Sequence, residues 1–249
     1  MDNAVIKTAG RVFEVLEYLR EVRRHVTVRE VSEQLGYPLS SAQVLMKSIA
    51  TLGYLRYDTR HRAYFATPML ARLGDWVLDS IASGSNLFQL LETVARETGM
   101  TAILAVENDI YAQYVHVVMG GHALQFNVQP GTRRVLGMSG LGWALLAGRG
   151  DEAITRLVHR TNARLTRGGQ PVDLAEVMKR VNETRAQGYS FSRSTVTEGV
   201  GIVGITLPPG ASGERLAIGV GGPVSRLEDA LPTIVGSLRA CAGSESVSA

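Results

Sequence analysis

The stretch GYPLSSAQVLMKSIATLG, residues 36–53, constrains the chain more than any other. Gly36 is a natural stop for a preceding helix, because glycine enters the left-handed backbone region cheaply. Tyr37-Pro38 follows, and proline fixes its own φ and favours the start of a helix over its middle. Over residues 40–52, Ala42, Leu45, Met46, Ile49 and Leu52 recur three or four positions apart, so the spacing predicts one helix with one apolar stripe. Ser40, Ser41, Gln43, Val44, Lys47 and Ser48 fall on the other side. That side is short, polar and nearly free of acid, which suits a surface pressed into a nucleic-acid groove. An ordinary solvated helix has the same pattern, so the flanking segments decide.

Upstream, Val12, Val15, Leu16 and Leu19 share a face of a helix predicted over residues 8–19. Residues 20–26 form a polar connection. Thr27 with Glu30 three residues on has the spacing of a capping box, and Val28, Val31 and Leu35 give the next helix its buried face. Two short helices around a tight glycine-containing turn make a helix-turn-helix, whose second helix enters the major groove with its N-terminal residues nearest the bases. Downstream, residues 54–57 and 62–65 alternate as strands around a polar turn at 58–61. This hairpin gathers Arg56, Arg60, His61 and Arg62, as in a wing laid on the phosphate backbone. The charge agrees with an acidic partner for this part alone. Residues 1–75 hold eleven Lys+Arg against eight Asp+Glu, while the rest is balanced at fifteen of each.

GRVFEVLEYL…TVREVSEQLGYPLSSAQVLMKSIATLGYLRYD…YFATPML resembles the N-terminal DNA-binding domain of the IclR family of bacterial transcription regulators, through most of residues 5–75. The family commonly has a basic residue where this chain has Leu39 and often an arginine where it has Val44. Ser40, Ser41, Gln43 and Lys47 then carry more of the readout. Gln43 is the best base reader among them, since its amide pairs with adenine in both directions. Met69, Leu73, Trp76, Val77 and Ile81 share a face over residues 68–84, which resembles the family's linker helix; a helix packed on its own domain reads equally well. The boundaries expected are a winged helix-turn-helix domain at 1–67, a linker helix at 68–84 and a second domain at 85–249.

From Leu87 onward helices and strands alternate. Helices are expected at 87–97, 140–147, 152–159, from Asp173 to Gly188, and at 227–240. Strands are expected at 101–107, 110–118, 123–128, 200–207 and 216–220, and residues 243–249 read as a polar tail. This is an α+β pattern, an antiparallel sheet with flanking helices. GTRRVLGMSGLGWALLAG and TEGVGIVGITLPPGASGERLAIGVGGPVSR resemble the family's glycine-rich segment and its closing strands, so the likeness runs over roughly residues 5–242. It implies a GAF-like effector-binding domain, a small-molecule pocket over the sheet, and a homodimer or homotetramer. It also implies a pocket built from Phe126, Ser139, Gly140, Leu141, Gly142, Ser192, Ile202, Gly219 and Gly221. Members that bind small polar acids tend to have an acid at the place of Ser192 and serines at the places of Gly219 and Gly221. The expected effector is therefore a larger, less polar organic molecule, an aromatic carboxylate or amide, with backbone N–H groups at the start of the Gly140 helix open to a carboxylate.

Other signals point to no chemistry. Gly199 to Gly204 fits G-x-G-x-x-G, but a strand and turn follow it rather than a helix. His25, His61, His116, His122 and His159 show no metal-ligand spacing, although His116 and His122 flank Gly120-Gly121 and could meet across a hairpin. Cys241 is the single cysteine, which agrees with a reducing compartment, and Ser139 lacks a nucleophile-elbow setting. No catalytic residues, cofactor, metal or membrane contact is expected, and the chain reads as cytoplasmic. The leading function is a ligand-responsive regulator of a double-stranded DNA operator. Its rivals are an enzyme on an α+β body with an N-terminal interaction module, and a winged helix that binds only protein. A salt series separates DNA binding from the last, because counterion release makes it steeply salt-dependent.

Overall fold

The apolar stripe of residues 40–52 holds the first part of the chain together. In the computed structural model, which describes residues 6–74, 87–121, 126–165, 170–208 and 213–246, this stripe lies on α3 (Leu39–Thr51). Ala42, Met46 and Ile49 pack with Val15 and Leu19 of α1 (Lys7–Val22) and Val31 of α2 (Val28–Leu35). Leu52 does not join them. It lies one step beyond the helix and is 68% exposed, because the stripe ends where the backbone turns into Gly53. Gly36 closes α2 at φ 68°, the left-handed conformation expected of it.

Thr27 caps α2 by accepting the Glu30 N–H, but the reciprocal half of the box is absent. The Glu30 carboxylate instead accepts from the Tyr18 hydroxyl at 2.9 Å and from the Arg24 guanidinium, which tie α2 to α1 and to the connection between them. The wing is β1 (Leu55–Asp58) paired with β2 (Ala63–Ala66), Leu55 opposite Ala66 and Asp58 opposite Ala63. The strands sit one residue later than the alternation implied, and the turn occupies residues 59–62. An isolated bridge from Val26 to Tyr64, with N–H···O distances of 2.9 and 2.8 Å, lays the α1–α2 connection along β2. Pro68–Leu73 form a short 3-10 helix, not the α-helix expected from residue 68; residues 75–84 of that expected linker lie outside the described residues.

The chain divides into two compact units, Met1–Leu78 and Asp79–Ala249. The second unit is built on a six-stranded antiparallel sheet ordered β5-β4-β3-β8-β7-β6. Its strands are β3 (Thr101–Asn108), β4 (Tyr111–Val118), β5 (Arg133–Val135), β6 (Ser190–Arg193), β7 (Val200–Thr206) and β8 (Leu216–Pro223). Alternate residues bury opposite faces. Leu104, Val203, Ile205, Ile218 and Val220 meet α4 (Leu87–Thr98), α8 (Val224–Asp229) and α9 (Leu231–Ser246). Ile103, Ala105, Tyr114, Ile202 and Ala217 meet α5 (Gly140–Ala147), α6 (Asp151–Arg164) and α7 (Leu174–Gln187).

Several expectations are corrected here. The single helix at 227–240 is two helices interrupted at Ala230, with Pro232 in the first turn of α9, where proline is tolerated. Helix α9 continues to Ser246 into the expected tail. Strands β5 and β6 were not expected; each is only three or four residues long, too short to show alternation. Residues 126–128 are not strand, and 123–125 lie outside the described residues. The glycine motif at 199–204 runs from a turn at Gly199 into β7 and opens no helix.

Helix α5 approaches the sheet and its own preceding turn through glycines. A Cβ at Gly142 would stand 2.1 Å from the Leu136 carbonyl oxygen. Gly142→Ala is therefore expected to lower unfolding free energy by at least ~2 kcal/mol in urea titrations. Gly236 sits exposed inside α9 with nothing near its missing Cβ, so Gly236→Ala is expected to raise it by ~1 kcal/mol.

Candidate functional site

On α3 the stripe that packs inward fixes what faces out. Ser40, Gln43, Val44, Lys47 and Ser48 are exposed and Ser41 is half-buried, so the six side chains form one accessible surface. Ser48 and Thr51 turn their hydroxyls back to the carbonyls of Val44 and Lys47, leaving Gln43 and Lys47 with the longest reach on this surface. The turn leading into α3 is held by Ser32, which donates to the Tyr37 carbonyl at 2.6 Å, by the Tyr37 hydroxyl donating to Glu14, and by Arg11 over the Tyr37 ring at 4.7 Å. Arg56, Arg60 and Arg62 are all exposed on the wing.

The wing carries one cluster that spacing did not reveal. His25, Asp58 and His61 bring ligand-type atoms within 4.8 Å of one another. They come from the α1–α2 connection, the end of β1 and the hairpin turn, and the Val26–Tyr64 bridge draws these together. The His61 ring and two backbone amides hold the Asp58 carboxyl down to about 2. His116, by contrast, packs edge-on against Phe88 at 4.6 Å and burial lowers its pKa; His122, its expected partner, lies outside the described residues. Cys241 is buried on α9.

In the second unit a small cavity opens at the N-terminal end of α5. It is lined by Tyr114, Phe126, Arg134, Ser139, Gly140, Ser192, Val196, Thr197, Val200, Gly201 and Ile202, and its free centre of about 20 Å³ holds no more than a water. Five of the nine residues expected at a pocket thus meet there: Phe126, Ser139, Gly140, Ser192 and Ile202. The other four lie behind it. Leu141 is fully buried, with its Cδ2 2.8 Å from where a Cβ on Gly204 or Gly219 would stand. Gly142 presses on Leu136, and Gly221 lies beneath the Phe126 ring, 2.5 Å from its own missing Cβ.

Ser139 caps α5 by accepting the Gly142 N–H at 3.2 Å, so that donor is already engaged. Ser192 is tied to Ile202, accepting its N–H at 3.1 Å. Tyr114 and Arg134 were missed by sequence reasoning. They sit on neighbouring strands β4 and β5, and the only available signal was the basic pair Arg133-Arg134 just before the glycine-rich segment. Burial pushes the Tyr114 phenol up to about 12, opposed by the Arg134 guanidinium against it. Among the described residues no carboxylate is paired with Arg134. The cavity therefore offers one cation, a neutral phenol and an otherwise largely apolar wall.

The chain matches the family model described as "Bacterial transcriptional regulator IclR C-terminal" over residues 81–248 and that described as "IclR helix-turn-helix domain" over residues 8–59. It belongs to the IclR family of transcriptional regulators. Among curated IclR-family relatives, the transcriptional repressor IclR of Escherichia coli (strain K12) is 24% identical over 94% of this chain and 86% of its own length. The second unit is similar to the effector domain of a transcriptional regulator IclR from Acinetobacter sp. ADP1, with 29% identity, a TM-score of 0.58, and coverage of 64% of this chain and 93% of that one. An IclR homolog from Microbacterium hydrocarbonoxydans, solved with 4-hydroxybenzoate, has the same fold across 97% of this chain and 98% of its own, with a TM-score of 0.63 at 18% identity. This chain is thus a DNA-binding regulator of the IclR family, and no helix among its described residues is long and apolar enough to cross a membrane.

Proposed function

We propose that this regulator reads an operator through α3 and the wing and answers to an aromatic carboxylate bound at the α5 cavity. On the DNA side, Ser40, Ser41, Gln43, Val44 and Lys47 meet the major groove and Arg56, Arg60 and Arg62 meet phosphates. Two copies present two α3 helices to a roughly palindromic site, as a homodimer or within a homotetramer. What supports this is the accessible, acid-free surface of α3 beside three exposed arginines. Gln43→Ala is expected to reduce discrimination between operator and mismatched sites by ~1–3 kcal/mol in competition binding. Arg60→Ala is expected to weaken all sequences alike and to flatten the salt slope by about one unit. Equal loss at every sequence for Gln43→Ala would remove it from base reading.

On the effector side, the reading is carried by Arg134 facing a cavity whose apolar side chains are Phe126, Val196, Val200 and Ile202, beside the hydroxyls of Ser139, Ser192 and Thr197. A guanidinium takes a carboxylate in two parallel hydrogen bonds, and the neutral Tyr114 phenol adds a donor. The apolar wall suits an aromatic ring better than a two-carbon acid. The relative with bound 4-hydroxybenzoate has this ligand class. Since the free centre is so small, the ligand must displace the Phe126 ring from over Gly221. Binding then acts on DNA only through its preference for one arrangement of the two units over another.

Calorimetry with 4-hydroxybenzoate and with glyoxylate tests the assignment. The aromatic acid is expected to bind, and Arg134→Gln to weaken it by ~10–100-fold, the loss of a hydrogen bond to a charged group. Tight binding of glyoxylate with none of the aromatic acid would overturn it.

A further inference from the structure

The cluster at the base of the wing has the composition and the spacing of a metal site. We propose that His25, Asp58 and His61 bind a divalent transition cation of the zinc class, which fastens the wing to the α1–α2 connection. Asp58 divides its two oxygens between different tasks. Oδ1 accepts the backbone N–H groups of Arg60 at 2.8 Å and His61 at 3.2 Å, which sets the carboxylate plane. Oδ2 faces both rings, hydrogen-bonded to His61 Nδ1 at 2.9 Å and 3.5 Å from His25 Nε2.

His25 supplies the independent observation. Its Nε2 is buried and makes no hydrogen bond, since the approach to Asp58 lacks hydrogen-bond geometry. A buried ring nitrogen aimed at a carboxylate without bonding it is costly when left so. A cation between them satisfies both groups. The His25 ring cannot easily turn away, because it is stacked on Phe65 at 4.9 Å and lies 5.1 Å from the His61 ring.

Two imidazoles and one carboxylate are a ligand set for zinc, with water completing a tetrahedron. Imidazole favours such metals over magnesium or calcium, which prefer all-oxygen shells. Metal–ligand bonds of about 2.0–2.2 Å need ligand atoms somewhat over 3 Å apart; Asp58 Oδ2 stands 2.9 and 3.5 Å from the two ring nitrogens, and all three ligand atoms lie within 4.8 Å of one another. To bind the cation through Nδ1, the neutral His61 ring carries its single proton on Nε2, so no net proton is released. Neutral rings, Asp58 and the cation together carry one positive charge where Asp58 alone carries one negative. That change sits within the hairpin that bears Arg56, Arg60 and Arg62, so the metal also raises phosphate affinity.

The test uses the untagged full chain. Equilibrium dialysis with zinc is expected to give one ion per chain, and cobalt substitution to give the intense visible absorption of tetrahedral coordination. His61→Ala, at an exposed position that leaves folding intact by circular dichroism, is expected to weaken binding by more than the ~10–100-fold typical of losing an outer-shell partner. His25→Ala is expected to do the same, and His159→Ala to change nothing. Absence of zinc and cobalt binding, or binding unchanged in His61→Ala and His25→Ala, would overturn the site. Zinc that binds without raising DNA affinity would overturn the link to the wing's phosphate contacts while leaving the site itself.

Discussion

Most of the second unit depends on how closely α5 is allowed to approach the sheet. Leu141 is wholly buried because Gly204 and Gly219, opposite one another on β7 and β8, have no side chains where its methyl lies. Gly142 lets the same helix rest on the Leu136 carbonyl, and Ser190 clamps its first residue by donating to the Gly140 carbonyl at 2.7 Å. Interiors packed at crystal-like density do not absorb an extra methyl group easily. The position of α5 then decides where its N-terminal end, and with it the cavity, can be. Gly142 and Gly219, both expected at the pocket, and Gly204 thus make the room that the helix needs.

The first unit rests on a weaker but equally local device. The Val26–Tyr64 bridge adds a short third rung to the wing and places the α1–α2 connection beside the hairpin turn. That one pair of hydrogen bonds explains why residues more than thirty positions apart, His25 and Asp58, become neighbours. It also fixes the wing relative to α3, since Leu55 and Tyr64 share a core with Met46 and Ile49.

What could be read in advance followed from periodicity and punctuation. The α3 stripe spans thirteen residues, enough for Ala42, Met46 and Ile49 to declare a face, and Gly36 and Pro38 mark its entry. The order of helices and hairpin followed from the same signals. The failures share a cause as well. Leu52 kept the period of the stripe, but the helix had already ended. Glu30 had the spacing of a capping box, yet Tyr18 on α1 and Arg24 in the α1–α2 connection compete for its carboxylate. Strands β5 and β6 are too short to alternate. Arg134 and Tyr114 meet only because β4 and β5 pair, and pairing register is a tertiary fact. The His25–Asp58–His61 cluster escaped for the same reason, since three elements must fold before it exists.

The outer strands of the larger sheet have a consequence for assembly. Its rims are β5, three residues long, and β6, four residues long, and they carry Arg133 and Arg193 exposed to solvent. Such short rims offer few unpaired amides to a copy of themselves, and long charged side chains such as Arg193, paired with Glu228 at 2.8 Å, stand in the way of a new strand. Sheets from different copies are therefore discouraged from zipping end to end into a continuous ribbon. Copies that meet through helices and loops instead can part without unravelling the sheet.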